Sequence, residues 1–197
     1  MKDITKNEMR ALLALFKDIS SNYNANNLSK KLGLTSMGML KILKRLEKQN
    51  ILQSQQLGKA VFYKLKLDDY TKAYLKFLLQ NEAEQSIPRI KRWVNELRKF
   101  QKHAEIGILF GSVLSKEEYN DVDLLLVFKP SQNSKINQLA DVINKASIKR
   151  VHLVKQTKND LKENIKKKDK VVLDLIKNGI VVFGYETIIE LIKNATR

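Results

Sequence analysis

The spacing of the hydrophobic residues changes near residue 105, and this change divides the chain. Before it, apolar side chains recur at helical intervals, as Met9, Leu12 and Phe16 do. After it, they gather into short runs, EIGILFGS (105–112) and DVDLLLVF (121–128), each the length of a buried strand. The pattern predicts an α+β protein in which a largely helical N-terminal part precedes alternating strands and helices around a small mixed sheet.

Three helices and a β-hairpin are predicted in the first 69 residues. The expected helices cover 5–21, 29–33 and 36–49, and the expected strands cover 51–55 and 60–66. Ser29 and Thr35 are the expected N-caps of the second and third helices, and Gly58 is expected in the hairpin turn.

The third predicted helix has an apolar face and a basic face. At 100° per residue, the apolar face carries Met39, Ile42, Leu43 and Leu46. Ser36 starts this helix with a free backbone N–H, and Lys59 falls at the tip of the hairpin. The candidate nucleic-acid contacts are Ser36, Met37, Lys41, Lys44, Arg45, Lys48 and Lys59.

The formal net charge of the chain is +16. Residues 1–70 contribute +7, residues 71–104 contribute +5 and residues 105–197 contribute +4. Such an excess favours a polyanionic partner, most commonly nucleic acid, and the alternative is a basic surface that is merely solvated. Because the excess is densest in the first half, we expect any nucleic-acid site there.

The segment LSKKLGLTSMGMLKILKRLEKQNIL (28–52) resembles the multiple-antibiotic-resistance and arsenical-resistance regulator families. This resemblance implies a winged helix-turn-helix domain over 1–69, a transcriptional regulator whose third helix enters the major groove of double-stranded DNA. Two positions depart from the family pattern. Gly38 weakens the helix, and Leu40 stands where such regulators often place a polar, base-reading residue. The alternatives are a protein-binding module and a helix that the lysines only solubilise.

The segment 70–104 is predicted to be a helical connector, divided into two helices at Pro88. It carries an apolar set: Tyr74, Phe77, Leu78, Ile90, Trp93, Leu97 and Phe100. Winged-helix regulators usually pair to bind two half-sites, so we expect a homodimer built partly from these helices. The alternative is that these side chains pack only against the flanking domains of the same chain.

A second motif lies in the third part of the chain, 105–197. Gly111 and Ser112 follow an apolar strand, and Asp121 and Asp123 open the next one. Carboxylates two residues apart on a strand point to the same side, so both can hold the same metal ions. Glycine lets a phosphate approach the backbone, and the serine hydroxyl can bind a phosphate oxygen.

This motif resembles the DNA polymerase β nucleotidyltransferase superfamily, particularly its minimal members. The resemblance implies Mg²⁺ with a nucleoside triphosphate, Asp121 and Asp123 as metal ligands and catalytic residues, and Gly111 and Ser112 as nucleotide contacts. The superfamily's third carboxylate is replaced by His152, a candidate base but a poorer ligand for Mg²⁺. The loop VLSKEEYN (113–120) also departs from the pattern: it is slightly short, it lacks a glycine, and it places Asn120 before Asp121.

Three interpretations of this domain stay open: an active nucleotidyltransferase that acts on protein, nucleic acid or a small molecule, a nucleotide- or metal-binding sensor without turnover, and a degenerate scaffold. The predicted function is DNA binding in transcriptional control, with little or no turnover. The alternative is an active transferase, or the antitoxin of a toxin-type protein partner, since minimal nucleotidyltransferases are often paired with such proteins.

Cysteine is absent, and the chain has two histidines, His103 and His152. Disulfide bonds and thiolate metal sites are therefore excluded, and a structural zinc site is not expected. The polar start MKDITKNEMR does not resemble a signal peptide, and no apolar run reaches the length of a membrane span. We therefore expect a cytoplasmic protein with no membrane contact.

Overall fold

The computed structural model describes residues 4–195 and has a mixed α+β architecture with two small sheets. The chain forms two compact units, Met1–Leu78 and Leu79–Arg197. The boundary between these units lies inside one helix, within the segment 70–104. Among the described residues, no helix combines the length and the apolar character that crossing a bilayer requires.

Unit 1 consists of helices around a small antiparallel sheet. Its elements are α1 (Lys6–Lys17), β1 (Tyr23–Asn24), α2 (Ala25–Leu32), α3 (Ser36–Lys48), β2 (Leu52–Leu57), β3 (Ala60–Leu65) and the first part of α4 (Asp69–Glu84). The strand order is β1-β3-β2, with both pairs antiparallel. Leu12, Leu28, Met39, Leu43 and Leu46 are fully buried in one core. The helical periodicity of the sequence predicts all of these except Leu28.

Helix caps set the bounds of the first three helices. Thr35 caps α3 by accepting a hydrogen bond from the Gly38 amide, as predicted. Asn24 caps α2 in a reciprocal pair with Asn27, so the prediction that Ser29 caps this helix was wrong. Ser29 lies inside the helix, where its hydroxyl donates to the Asn26 carbonyl oxygen.

Unit 2 contains a four-stranded mixed sheet. Its elements after α4 are α5 (Pro88–Leu97), β4 (Ile106–Phe110), α6 (Ser112–Ser115), β5 (Asp121–Val127), α7 (Asn133–Ala146), β6 (Arg150–Gln156), α8 (Lys158–Lys166), α9 (Lys170–Asn178), β7 (Ile180–Phe183) and α10 (Tyr185–Ala195). Short 3₁₀ helices occupy Arg98–Lys102 and Pro130–Gln132. The strand order is β6-β5-β4-β7, in which β5 and β6 are parallel and the other pairs are antiparallel.

Strand β6 lies at one edge of this sheet, and a side chain from α7 occupies its outer side. The Val151 amide donates to Asn144 Oδ1 at 2.7 Å, and Asn144 Nδ2 donates to the Val151 carbonyl at 3.4 Å. These two bonds satisfy backbone groups that an edge strand would otherwise leave open to another chain.

Most of the apolar side chains of the segment 70–104 are buried within the chain itself. Tyr74 and Leu78 belong to the core of unit 1. Ile90, Trp93, Leu97 and Phe100 belong to the core of unit 2, together with residues of α7, β4 and β5. Phe77 is the member of the set that stays exposed, at 41%. Packing within each unit therefore accounts for the apolar richness of this segment, and the homodimer stays a prediction.

Candidate functional site

Two aspartates stand at the beginning of β5. Asp121 and Asp123 are separated by one residue, so their side chains project from the same face of the strand. Val122 between them points to the opposite face and is completely buried in the core of unit 2. The aspartate side chains retain 37% and 28% exposure. The strand therefore anchors both carboxylates while leaving them accessible.

His152 reaches this pair from the neighbouring strand. In the parallel register of β5 and β6, His152 is the direct partner of Asp123. Its Nδ1 atom lies 3.3 Å from Asp121 Oδ2 and 4.0 Å from Asp123 Oδ1. One ligand atom from each of the three residues lies within 4.8 Å of the others. The structure thus brings together the three residues that the sequence placed at one site.

Gly111 is required here by the carboxylate beside it. Its φ of 85° and ψ of −161° fall in a region that is essentially restricted to glycine. A Cβ atom at this position would lie 2.2 Å from Asp123 Oδ2. The Asp123 carboxylate thus occupies the space that a side chain at position 111 would fill. The sequence did not suggest this contact. The sequence predicts instead that this glycine lets a phosphate approach the backbone.

The electrostatics of the pair are unfavourable to full ionisation. Partial burial raises the pKa of Asp123, the Asp121 carboxylate raises it further, and His152 opposes both effects. A positive charge placed among these side chains would relieve the repulsion between the two carboxylates. The arrangement therefore favours a cation.

An open cavity of about 680 Å³ adjoins Asp121. Ser112, Tyr119, Asp121 and Lys149 are among the residues that line it. The Lys149 ammonium lies 5.5 Å from the centre of the Tyr119 ring, and the Trp93 indole N–H donates to the Tyr119 hydroxyl at 2.8 Å. Sequence reasoning missed Tyr119 and Lys149, because neither belongs to a motif, although Tyr119 is the lone aromatic residue in the loop before Asp121.

This donor set does not match magnesium well. Mg²⁺ prefers six oxygen ligands in regular geometry, whereas the third side chain here offers an imidazole nitrogen. The Mg²⁺ expected from the resemblance to nucleotidyltransferases is therefore not supported by the chemistry of these side chains.

The second candidate site is the exposed face of α3 in unit 1. Lys41, Lys44 and Lys48 are exposed, opposite the fully buried Met39 and Leu43. Among residues 4–195, none of these three lysines has a carboxylate within ion-pair distance. The face therefore carries uncompensated positive charge along about two turns of helix.

The remaining candidates of unit 1 lie at the start of α3 and in the β2–β3 hairpin. Ser36 and Met37 begin α3 and are exposed, and the Ser36 hydroxyl donates to Asn26 Oδ1. Lys59 is exposed in the two-residue loop between β2 and β3. Gly58 precedes it with a φ of 61°, as the favoured two-residue hairpin turns require.

Arg45 differs from its lysine neighbours because it has a buried partner. Its Nε atom lies 3.2 Å from Glu8 Oε1, and the Glu8 side chain is only 2% exposed. The other oxygen of Glu8 accepts from the Thr5 amide and hydroxyl at the start of α1. Arg45 thus has a structural role that the sequence did not reveal, because Glu8 lies far away along the chain.

The chain matches no protein-family model, no curated protein and no solved structure. Any functional conclusion therefore depends on the geometry of these two sites.

Proposed function

We propose that the protein binds double-stranded DNA through unit 1, as a winged helix-turn-helix regulator does. The element order α1-β1-α2-α3-β2-β3 and the strand order β1-β3-β2 support this architecture. In such a module α3 is the helix that enters the major groove, and the β2–β3 hairpin lies beside it along the phosphate backbone.

The observation that carries the proposal is the uncompensated lysine face of α3. Lys41, Lys44 and Lys48 recur at helical spacing on the face opposite the core. A helix inserted into the major groove needs positive side chains toward the phosphates and an apolar face toward its own domain. The exposed Lys59 at the hairpin tip would contact the neighbouring backbone.

The test compares two variants that lose the same charge. One replaces Lys41, Lys44 and Lys48 by Ala, and its control replaces Lys129, Lys135 and Lys145, which are exposed in unit 2. Binding to a mixed-sequence duplex of about 30 base pairs, long enough for two half-sites, is measured at several salt concentrations.

The α3 variant should bind more weakly and with a shallower salt dependence. Each lost phosphate contact lowers the slope of log K against log salt by about 0.9, so three contacts lower it by about 2.7. Between about 50 and 200 mM salt, wild-type affinity should then fall about 40-fold more than that of the α3 variant. Equal losses in the two triple variants would mean that only net charge matters, and this result would refute the proposal.

Nucleotide binding or transfer by unit 2 is the second candidate function. It is supported by the convergence of Asp121, Asp123 and Gly111 beside the cavity that Ser112 and Lys149 line. We expect slow or absent transfer, because an imidazole replaces the expected third carboxylate and loss of a general base costs about 10²–10⁴ in rate.

Labelled nucleoside triphosphates, with Mg²⁺ or Mn²⁺, would measure this activity. Robust transfer by the wild type that the double change Asp121→Asn and Asp123→Asn abolishes would make the protein an enzyme. The same double variant should keep its DNA affinity, because the lysine face of α3 belongs to unit 1.

A further inference from the structure

The three donors at the beginning of β5 and β6 form a mixed set of two carboxylates and one imidazole. We propose that Asp121, Asp123 and His152 bind a divalent transition metal in preference to Mg²⁺. Imidazole is a good ligand for cobalt, nickel, copper and zinc ions, whereas magnesium binds oxygen almost exclusively. The proposal concerns unit 2 alone and does not depend on DNA binding by unit 1.

The distances between the donors suit a shared metal. Ligands bound to one ion at about 2.0–2.2 Å lie roughly 3–3.6 Å apart in octahedral or tetrahedral geometry. His152 Nδ1 is already 3.3 Å from Asp121 Oδ2 and needs only a small movement toward Asp123 Oδ1, at 4.0 Å. Each donor comes from a strand position whose register is fixed by the β5–β6 pairing.

Gly111 makes room for one of the three donors. Because this residue has no Cβ, the Asp123 carboxylate can lie against its backbone and stay on the same side as His152. The His152 side chain remains 52% exposed, so an ion can enter from solvent and keep water as its other ligands. Three protein ligands with open positions are typical of sites where a metal also contacts a small molecule.

The experiment measures metal binding by the full chain. Co²⁺ serves as the probe, because its visible absorption reports nitrogen ligation and geometry, and Mg²⁺ and Mn²⁺ are titrated by calorimetry. The variants are His152→Ala, His152→Asp and Asp121→Asn with Asp123→Asn. The control is His103→Ala, since the chain has two histidines. Tryptophan fluorescence checks that each variant folds.

The wild type and His103→Ala should bind Co²⁺ more tightly than Mg²⁺ and show the same absorption bands. His152→Ala and the double aspartate variant should lose at least about tenfold in Co²⁺ affinity, as removal of metal-site groups typically does. His152→Asp should lower the preference for Co²⁺ over Mg²⁺ by a similar factor. Wild-type binding that favours Mg²⁺, or Co²⁺ affinity that His152→Ala leaves unchanged, would overturn the proposal. If His152→Asp does not fold, His152→Ala decides the question.

Discussion

Replacing Gly111 by Ala tests the most constrained point of unit 2. The change adds one methyl group where the backbone has a φ of 85° and where Asp123 Oδ2 would lie 2.2 Å away. Two separate penalties should result. The first is backbone strain, and the second is displacement of the Asp123 carboxylate.

The sizes of these penalties can be estimated. A non-glycine residue in this region of backbone space costs about 1–3 kcal/mol. Alanine recovers about 0.4–1 kcal/mol because it restricts the unfolded chain. Forcing Asp123 away from its favoured rotamer costs about 0.5–1.5 kcal/mol. We therefore expect Gly111→Ala to lower the free energy of unfolding by about 2 kcal/mol, of which about 1 kcal/mol depends on Asp123.

Urea unfolding followed by tryptophan fluorescence measures this effect in the correct unit. Trp93 is the sole tryptophan of the chain and lies in the core of unit 2. A double-mutant cycle of Gly111→Ala with Asp123→Ala isolates the carboxylate contribution, because the second change removes the clashing oxygen. The matched control is the cycle with Asp121→Ala, whose carboxylate is not among the nearest neighbours of the added methyl group.

The coupling with Asp123 should be about 1 kcal/mol and the coupling with Asp121 should be much smaller. If both couplings fall within about 0.3 kcal/mol of zero, the Asp123 carboxylate does not lie against Gly111. Our account of this glycine, and the support it gives to the metal site, would then be wrong.

Three further predictions concern stability and assembly. Arg45→Ala should destabilise unit 1 by about 1–2 kcal/mol, which is less than the roughly 3–5 kcal/mol of a fully buried pair because Arg45 is half exposed. Adding Glu8→Gln should restore part of this loss, and thermal unfolding followed by circular dichroism measures both variants. Asp123→Asn should stabilise unit 2 at neutral pH without metal. Because the pKa of Asp123 is raised, the folding stability of the wild type falls as pH rises from the ordinary aspartate range through this pKa, so the gain should vanish in acid. A gain that persists in acid would contradict the raised pKa of Asp123. Light scattering at micromolar concentration should give a homodimer, and a strictly monomeric wild type would refute this prediction. The variant Phe77→Ser, which replaces an exposed apolar side chain, tests whether Phe77 contributes to that dimer.

Local patterns were sufficient to predict several elements of this fold. The helical period located α3 and its buried residues, and Gly58 located the hairpin turn. The two-residue strand β1 was missed, because two residues cannot show a period. The start of α2 was misplaced, because Ser29 and Asn24 are both good caps and only the reciprocal bond with Asn27 distinguishes them.

The candidate sites were predictable only as far as their residues are neighbours in sequence. Asp121 and Asp123 could be placed together, since strand geometry fixes their common side. Recognising His152 required a family resemblance, because a parallel pairing joins residues separated by a whole helix. The local sequence does not distinguish the structural role of Arg45 from the exposed position of Lys44, since the buried carboxylate that binds Arg45 belongs to Glu8 in α1.

The position of β6 at the sheet edge has a consequence for how the metal donors behave over time. Asp121 and Asp123 lie on an interior strand that is paired on both sides, whereas His152 lies on a strand with one pairing partner and the Asn144 side chain as its outer support. Among the strand pairings, local unfolding of β6 breaks only the hydrogen bonds between β5 and β6, so the backbone amides of β6 should exchange with solvent faster than those of β5. Each such opening would carry the imidazole away while both carboxylates stay in place. An ion that bridges the two strands would slow hydrogen exchange selectively in β6, and loss of the Asn144 amide would accelerate it there.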